Sequence, residues 1–311
     1  MKYIFPCLFI FLISSESICQ VEQNTKELDE FYNHQIELRH DNDFLIFTDR
    51  YYTTGSFIEY RALSPKSAQS EDKKNQLFIG LEHLYYTPSN ILSNNTDDFD
   101  RPYAGYLGVK AGSFMARKSQ AFEFTFALGV TGRISGAEGF QKMFHSTGPS
   151  IIPPWLAQIK NDVHINFYGG YFKEWELLPK PFAVYASIEP KVAIGTNNLY
   201  LDQGFKFFFG KRNPLLQSMA YNQLGETKNE FFFSVNFAFR YVFHNALIEG
   251  YPIGDPGEFV VKANDEIFLY GLTGYYRTKR NDFKLGYQYV SKETIKSDWH
   301  IYFTISLARR F

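Results

Sequence analysis

The sequence predicts an all-β membrane protein, a transmembrane antiparallel β-barrel of about 12 strands with a short helix beside its candidate site. Two observations predict it. The first is strict apolar/polar alternation that recurs along the chain. From Asp298 to Phe311, Trp299, Ile301, Phe303, Ile305, Leu307 and Phe311 fall on one face of a pleated strand, and His300, Tyr302, Thr304, Ser306, Ala308 and Arg310 on the other. One such strand would also suit a soluble sandwich, so the weight lies on repetition. Phe231, Phe233, Val235, Phe237, Phe239, Tyr241 and Phe243 oppose Ser234, Asn236, Ala238 and Arg240, while Phe122, Phe124, Phe126, Leu128 and Val130 oppose Glu123, Thr125, Ala127 and Gly129. The second is composition. Thirty-three Phe and 22 Tyr can furnish a lipid-facing band and its aromatic girdles, and a mean hydropathy of -0.28 fits a fold in which only alternate strand residues meet lipid.

Taken in order, Met1 to Ile13 joins a basic start to a short apolar core, and Ser17-Ile18-Cys19 offers a small-residue cleavage point, so residues 1–19 read as a signal peptide. The apolar run falls short of the roughly 20 residues that span a bilayer as a helix. Cys19 is a poor lipid-anchor site, because bulky Ile18 and acidic Glu16 stand where small or apolar residues are required. Residues 20–34 read as a short polar tail and 35–311 as the barrel. Both cysteines, Cys7 and Cys19, precede the expected cleavage point, so the mature chain has no thiol for a disulfide, a zinc site or a nucleophile. A net charge of -1 gives no sign of nucleic-acid binding.

Alternating runs bounded by turn residues fall at 35–43, 51–62, 76–86, 104–115, 121–133, 163–175, 181–194, 203–211, 229–243, 265–279, 281–291 and 298–311. An even count lets both chain ends meet on the periplasmic side. Lys279 to Asp282 is a polar tight turn. Three connections stand out as long: 64–75, 87–102 and 135–162. Within the third, Ala137 to Ser146 breaks the period of two and suits a short helix. That helix sets Gln141 and His145 one turn apart on one face, and Phe140 and Phe144 form an apolar pair.

Polar residues crowd the first hairpin. Asp41, Asn42 and Asp43 end one strand, and Thr48-Asp-Arg-Tyr-Tyr-Thr-Thr-Gly55 opens the next. Carboxylate and amide oxygens so grouped suit a hard cation such as calcium, and equally suit an acidic turn at a barrel rim. Asp100-Arg-Pro-Tyr-Ala-Gly105, taken alone, is a turn followed by a strand start, and His145, taken alone, is a structural hydrogen-bonder. No Gly-x-Ser-x-Gly elbow, phosphate loop or His/Cys metal cluster is present.

Together these segments resemble the lipid A 3′-O-deacylase family of outer-membrane barrels. The resemblance is carried, in order, by Asn42-Asp43, Asp49-Arg-Tyr-Tyr-Thr-x-Gly55, Asp100-Arg-Pro-Tyr-Ala-Gly105, Gln141-x-x-x-His145 and Trp155-x-x-Gln158-Ile-x-Asn161. Five motifs in order are specific where each alone is weak. Residues 148–154 and Asp162 depart from the family pattern. The resemblance implies a twelve-stranded barrel in the bacterial outer membrane, with a Ca2+-dependent esterase site between the wall and a helix. It further implies that His145 is the base that activates water, that Asn42, Asp43 and Thr53 are its polar partners, that Asn42 and Asp43 are metal ligands, and that lipid A of lipopolysaccharide is the substrate. The alternatives are a channel or binding barrel lined by Arg240, Arg277 and Lys284, and an outer-membrane phospholipase, whose serine is not identifiable here.

Overall fold

The computed structural model describes residues 31–43, 50–68, 72–146, 152–226, 228–254 and 257–311. The expected signal peptide, both cysteines and most of the polar tail lie outside these. Twelve antiparallel strands close into one barrel: β1 His34–Asn42, β2 Tyr51–Leu63, β3 Lys73–Thr87, β4 Ala104–Arg117, β5 Gln120–Thr131, β6 Val163–Leu178, β7 Ala183–Gly195, β8 Asn198–Lys211, β9 Glu230–Asn245, β10 Glu266–Arg277, β11 Asn281–Val290 and β12 His300–Arg310. Each strand pairs with its sequence neighbours, and β12 closes onto β1, with Phe303 opposite Asn42 and Arg310 opposite Gln35. Closure leaves no edge strand, so the backbone ladder of the wall is continuous around the barrel apart from its bulges.

The alternation read from the sequence sorts side chains as expected. Ile36 and Leu38 of β1, Leu77, Ile79 and Leu81 of β3, Phe122, Phe124 and Phe126 of β5, and Phe231 and Phe233 of β9 are exposed on the outer face. Gln35, Glu37 and Asp41, or Thr125 and Ala127, turn into the lumen and are buried. The lumen holds a polar cavity of about 750 Å³. Its charges are mutually paired, as in Lys284–Glu37 at 2.9 Å, Arg61–Glu59 at 2.6 Å and Arg240–Asp202 at 2.9 Å.

The two ends of the barrel differ. At the end that carries both termini, the connection from β8 to β9 folds back inside. Leu215, Met219, Tyr221 and Leu224 pack there on Phe172, Phe208, Phe232 and Tyr275. Arg212 pairs with Glu174 at 2.6 Å, and Arg277 pairs with Asp282 at 2.6 Å while donating to the carbonyls of Gln217 and Gln223. Glu230 accepts from the backbone of Asn213 and Met219. Residues 212–226 therefore form a plug. Its partners lie far along the chain, so no local pattern in 212–226 announces it. Phe31–Tyr32 pairs with Gly225–Glu226 in a two-stranded ribbon, so the expected tail of 20–34 is already ordered at its end and the barrel begins at His34. The other end carries the long connections 87–102 and 135–162 and two helices, α1 Ala137–Ser146 and α2 Ala246–Glu249, whereas the 64–72 connection, shortened by an early start of β3 at Lys73, lies at the end with the termini.

Candidate active site

Strand β2 does not run straight into its loop. Its pairing to β3 slips between Tyr52 and Thr54, so Thr53 is the extra residue of a β-bulge, a device that re-aims side chains at barrel rims. Tyr51, just before it, has φ of 65°. Released from the ladder, Thr53 accepts from the Asp43 N–H at 3.4 Å through its carbonyl, and its hydroxyl donates to the Tyr85 carbonyl at 3.4 Å. Asp43 is 2% exposed, and its Oδ2 accepts from the Arg50 backbone at 2.9 Å. Asn42 faces outward from β1 and donates from Nδ2 to Thr54 Oγ1 at 3.1 Å. The tip of the first hairpin thus gathers three of the four residues singled out in the sequence. Gly55 is required beside them, because a Cβ there would collide with the Tyr52 hydroxyl.

Residues 100–105, read alone as a turn and strand start, prove to be the tie between loops. Tyr51 donates to Asp100 Oδ2 at 2.8 Å and itself accepts from the Asp298 backbone at 2.8 Å, while Ser89 N–H donates to Asp100 Oδ1 at 2.9 Å. Arg101, 1% exposed, pairs with Glu293 at 2.9 Å and lies over the Tyr86 ring. Tyr103 stacks on Trp155, with ring centroids 5.3 Å apart. At Gly105 the wall and the helix meet so closely that a Cβ would strike Ala137 Cβ and Ser135 Oγ. Tyr51, Arg101, Tyr103 and Trp155 lie within the motifs that carry the resemblance, and the structure adds the contacts by which they shape the site.

Helix α1 occupies the residues predicted for it and lies on the outside of the wall. Its Phe140 ring contacts His83 at 5.4 Å, and Ala137 packs with Tyr85 and Trp155, both His83 and Tyr85 being outward-facing on β3. Gln141 and His145 are buried on one face, and Gln141 Oε1 accepts from Trp155 Nε1 at 2.6 Å. The rest of the helix surface bears Phe140, Met143 and Phe144, exposed by 55%, 59% and 71%. The helix is inside out relative to one on a water-soluble protein, which would bury the aromatics and expose the amide and imidazole. Burial works against a charge on Glu138, yet Lys142 and the Gln158 amide, each hydrogen-bonded to it, hold its carboxyl below the usual glutamate range and brace the helix to the 152–162 segment.

The hairpin tip and α1 are joined through Tyr85, whose backbone carbonyl accepts from Thr53 and whose ring packs with Ala137 at the start of the helix. The oxygens of Asn42, Asp43 and Thr53 are hard donors of the kind calcium takes. Among the described residues no three His, Cys, Asp or Glu side chains come together as a metal cluster. A cation here would therefore draw on amide, hydroxyl and backbone oxygens beside the Asp43 carboxylate, a mixture within calcium's ordinary range.

Comparison with solved structures finds LpxR from Salmonella typhimurium at a TM-score of 0.73 and 18% identity, covering 89% of this chain and all of that one. The β domain of the Bordetella autotransporter BrkA aligns at a TM-score of 0.48 and 9% identity over 91% of this chain and all of that one. No curated protein sequence matches. The sequence profile described as outer membrane protein LpxR matches residues 5–311, and this outer-membrane chain therefore belongs to the LpxR family.

Proposed function

We propose that this protein is an outer-membrane esterase that hydrolyses the ester holding the 3′-linked acyl or acyloxyacyl chain of lipid A. The observation that carries the reading is the inside-out α1, a helix packed on the lipid side of the wall with His145 buried and Phe140, Met143 and Phe144 turned to the surroundings. An ester whose tail stays in the leaflet is reached from the side, across the outer face, rather than through a lumen. Membership of the LpxR family supports the same reading. The plug at 212–226 weighs against a channel, because it fills one end of the lumen with buried, mutually paired charge.

In this mechanism His145 takes a proton from the attacking water as the water oxygen adds to the ester carbonyl, a role for which imidazole is the suited side chain at neutral pH. As the ester C–O bond breaks, the same proton passes to the departing 3′ oxygen of the sugar, and the acyl or acyloxyacyl chain is released as the free acid. Asn42, Asp43 and Thr53 hold the polar wall opposite the helix, and the Gln141–Trp155 bond fixes the helix face that presents His145. Calcium, held by Asn42 and Asp43, would supply positive charge where the carbonyl oxygen becomes anionic. Phe140, Met143 and Phe144 keep the acyl chain in apolar surroundings up to the ester.

The test is mass spectrometry of lipid A from outer membranes carrying wild type or His145→Ala, with added calcium or with chelator. Loss of a 3′ acyl or acyloxyacyl group only with wild type and calcium supports the assignment. Unchanged lipid A in all samples, from protein shown to be folded, overturns it.

A further inference from the structure

A second lipid site emerges at the opposite end of the barrel, on the outer face of β3 to β6. Lys73 pairs in register with Arg117, Arg117 with Gln120, and Gln120 with Lys173. Strand parity turns all four outward, in one row around the rim. Like charges directly opposite one another, as Lys73 and Arg117 are, disfavour a sheet unless a counter-charge lies between them. Lys118 joins the row from the β4–β5 turn, where its own counter-charge, Asp72, sits 3.7 Å away and both groups are largely exposed. Among the described residues lining this cleft, four cations therefore face one carboxylate. Lys173 donates to Ser119 Oγ at 2.8 Å and lies 5.9 Å from the Trp175 ring, so the ammonium is held at the rim.

The next row of the same strands is of another character. Met115 pairs with Phe122 and Phe122 with Tyr171, whose rings stand 5.0 Å apart. Tyr171 also donates to Gln120 at 3.1 Å, tying the two rows together. Beyond it, Leu77 and Phe124 are exposed by 62% and 53%. Charge, then amphipathic aromatic, then aliphatic is the order in which a lipid presents headgroup, glycerol and tail to a membrane protein. Outer-membrane barrels of even strand number keep both ends of the barrel on the periplasmic side, and this row lies at the end where the first strand begins and the last one finishes. It therefore meets the inner leaflet.

We propose that Lys73, Arg117, Lys118 and Lys173 form a binding site for the phosphate headgroup of an anionic phospholipid of the inner leaflet, with Phe122 and Tyr171 against its glycerol region. This site is separate from the candidate ester site and does not rest on that assignment. Its test is native mass spectrometry of the full-length folded protein, titrated with cardiolipin, phosphatidylglycerol or phosphatidylethanolamine, with inorganic phosphate as competitor. Wild type should retain the anionic lipids at least tenfold better than phosphatidylethanolamine. A Lys73→Gln/Arg117→Gln/Lys173→Gln variant should lose that preference, while Lys211→Gln, elsewhere on the rim, should keep it. Single Arg117→Gln, expected to weaken retention severalfold, serves if the triple variant does not assemble. Equal retention by wild type and variants, or no preference for anionic lipid, overturns the proposal. Displacement of the lipid by millimolar phosphate overturns it in favour of a free-phosphate site.

Discussion

The lumen and the lateral cleft under α1 are both polar, yet they are built on opposite principles. In the lumen and its plug, charges meet each other: Arg277 and Asp282 are fully buried and paired, and Glu230 is capped by backbone donors. Under α1, polar groups are instead arrayed on the outward face of a membrane barrel, where alternation calls for apolar side chains. Charge that satisfies itself marks a structural interior. Polarity placed against the lipid rule marks a place where something polar must arrive from the lipid.

Variants should separate the two regions. The largest effect is expected of Arg277→Ala, which removes the nearest partner of the buried Asp282 and the donor to the plug carbonyls of Gln217 and Gln223, and should cost about 3–5 kcal/mol. Heat-modifiable migration on a gel should then weaken, while activity per folded molecule stays within about twofold, since the sites lie far apart. His145→Ala should do the reverse, with folding intact and turnover down on the order of a hundredfold or more; a loss under about threefold would return His145 to a structural role. Asp43→Ala should cost about a hundredfold through lost stabilisation of developing charge, and full activity in that variant would remove Asp43 from the site. Phe144→Asp should slow hydrolysis of bilayer-embedded lipid A by about three- to tenfold, and dispersed short-chain substrate far less. Equal slowing of both would mean that the aromatic face has no part in lipid contact.

The smallest effect concerns acid. The Glu138 carboxyl is held below its ordinary range in the folded state, mainly by Lys142 and Gln158 acting against burial. Its contribution to the helix is thus present above the usual glutamate range and is lost as pH falls through the depressed value. Partial exposure makes this loss small. Hydrogen exchange across 137–146 should rise at acidic pH in wild type and be nearly pH-independent in Glu138→Gln.

Much of this architecture was legible in the sequence. Every strand expected from alternation is present, because a barrel wall imposes the period of two on each residue it contains. The helix at Ala137–Ser146 was legible for the same reason in reverse, since it broke that period. What escaped was set by distance along the chain. Arg101 finds Glu293, and Arg212 finds Glu174, through closure of the barrel, and nothing beside them announces it. The bulge at Thr53 was equally silent, since Tyr-Tyr-Thr-Thr reads as uninterrupted strand. Asn42, Asp43, Thr53 and His145 were named by resemblance, and the structure adds the bulge and the Tyr85 link that connect hairpin to helix.

The seam between β12 and β1 has a temporal meaning. Asn42 lies opposite Phe303, Thr304 donates to Asp41, and the backbone before β12 reaches Tyr51, so the first hairpin takes its final shape only when the last strand arrives. His34 and Phe311 then bond through both backbone groups and lock that junction. A chain in which β12 has not yet met β1 carries every residue of the candidate site but lacks these contacts that shape the hairpin. Under the proposed function, competence would come with closure of the barrel.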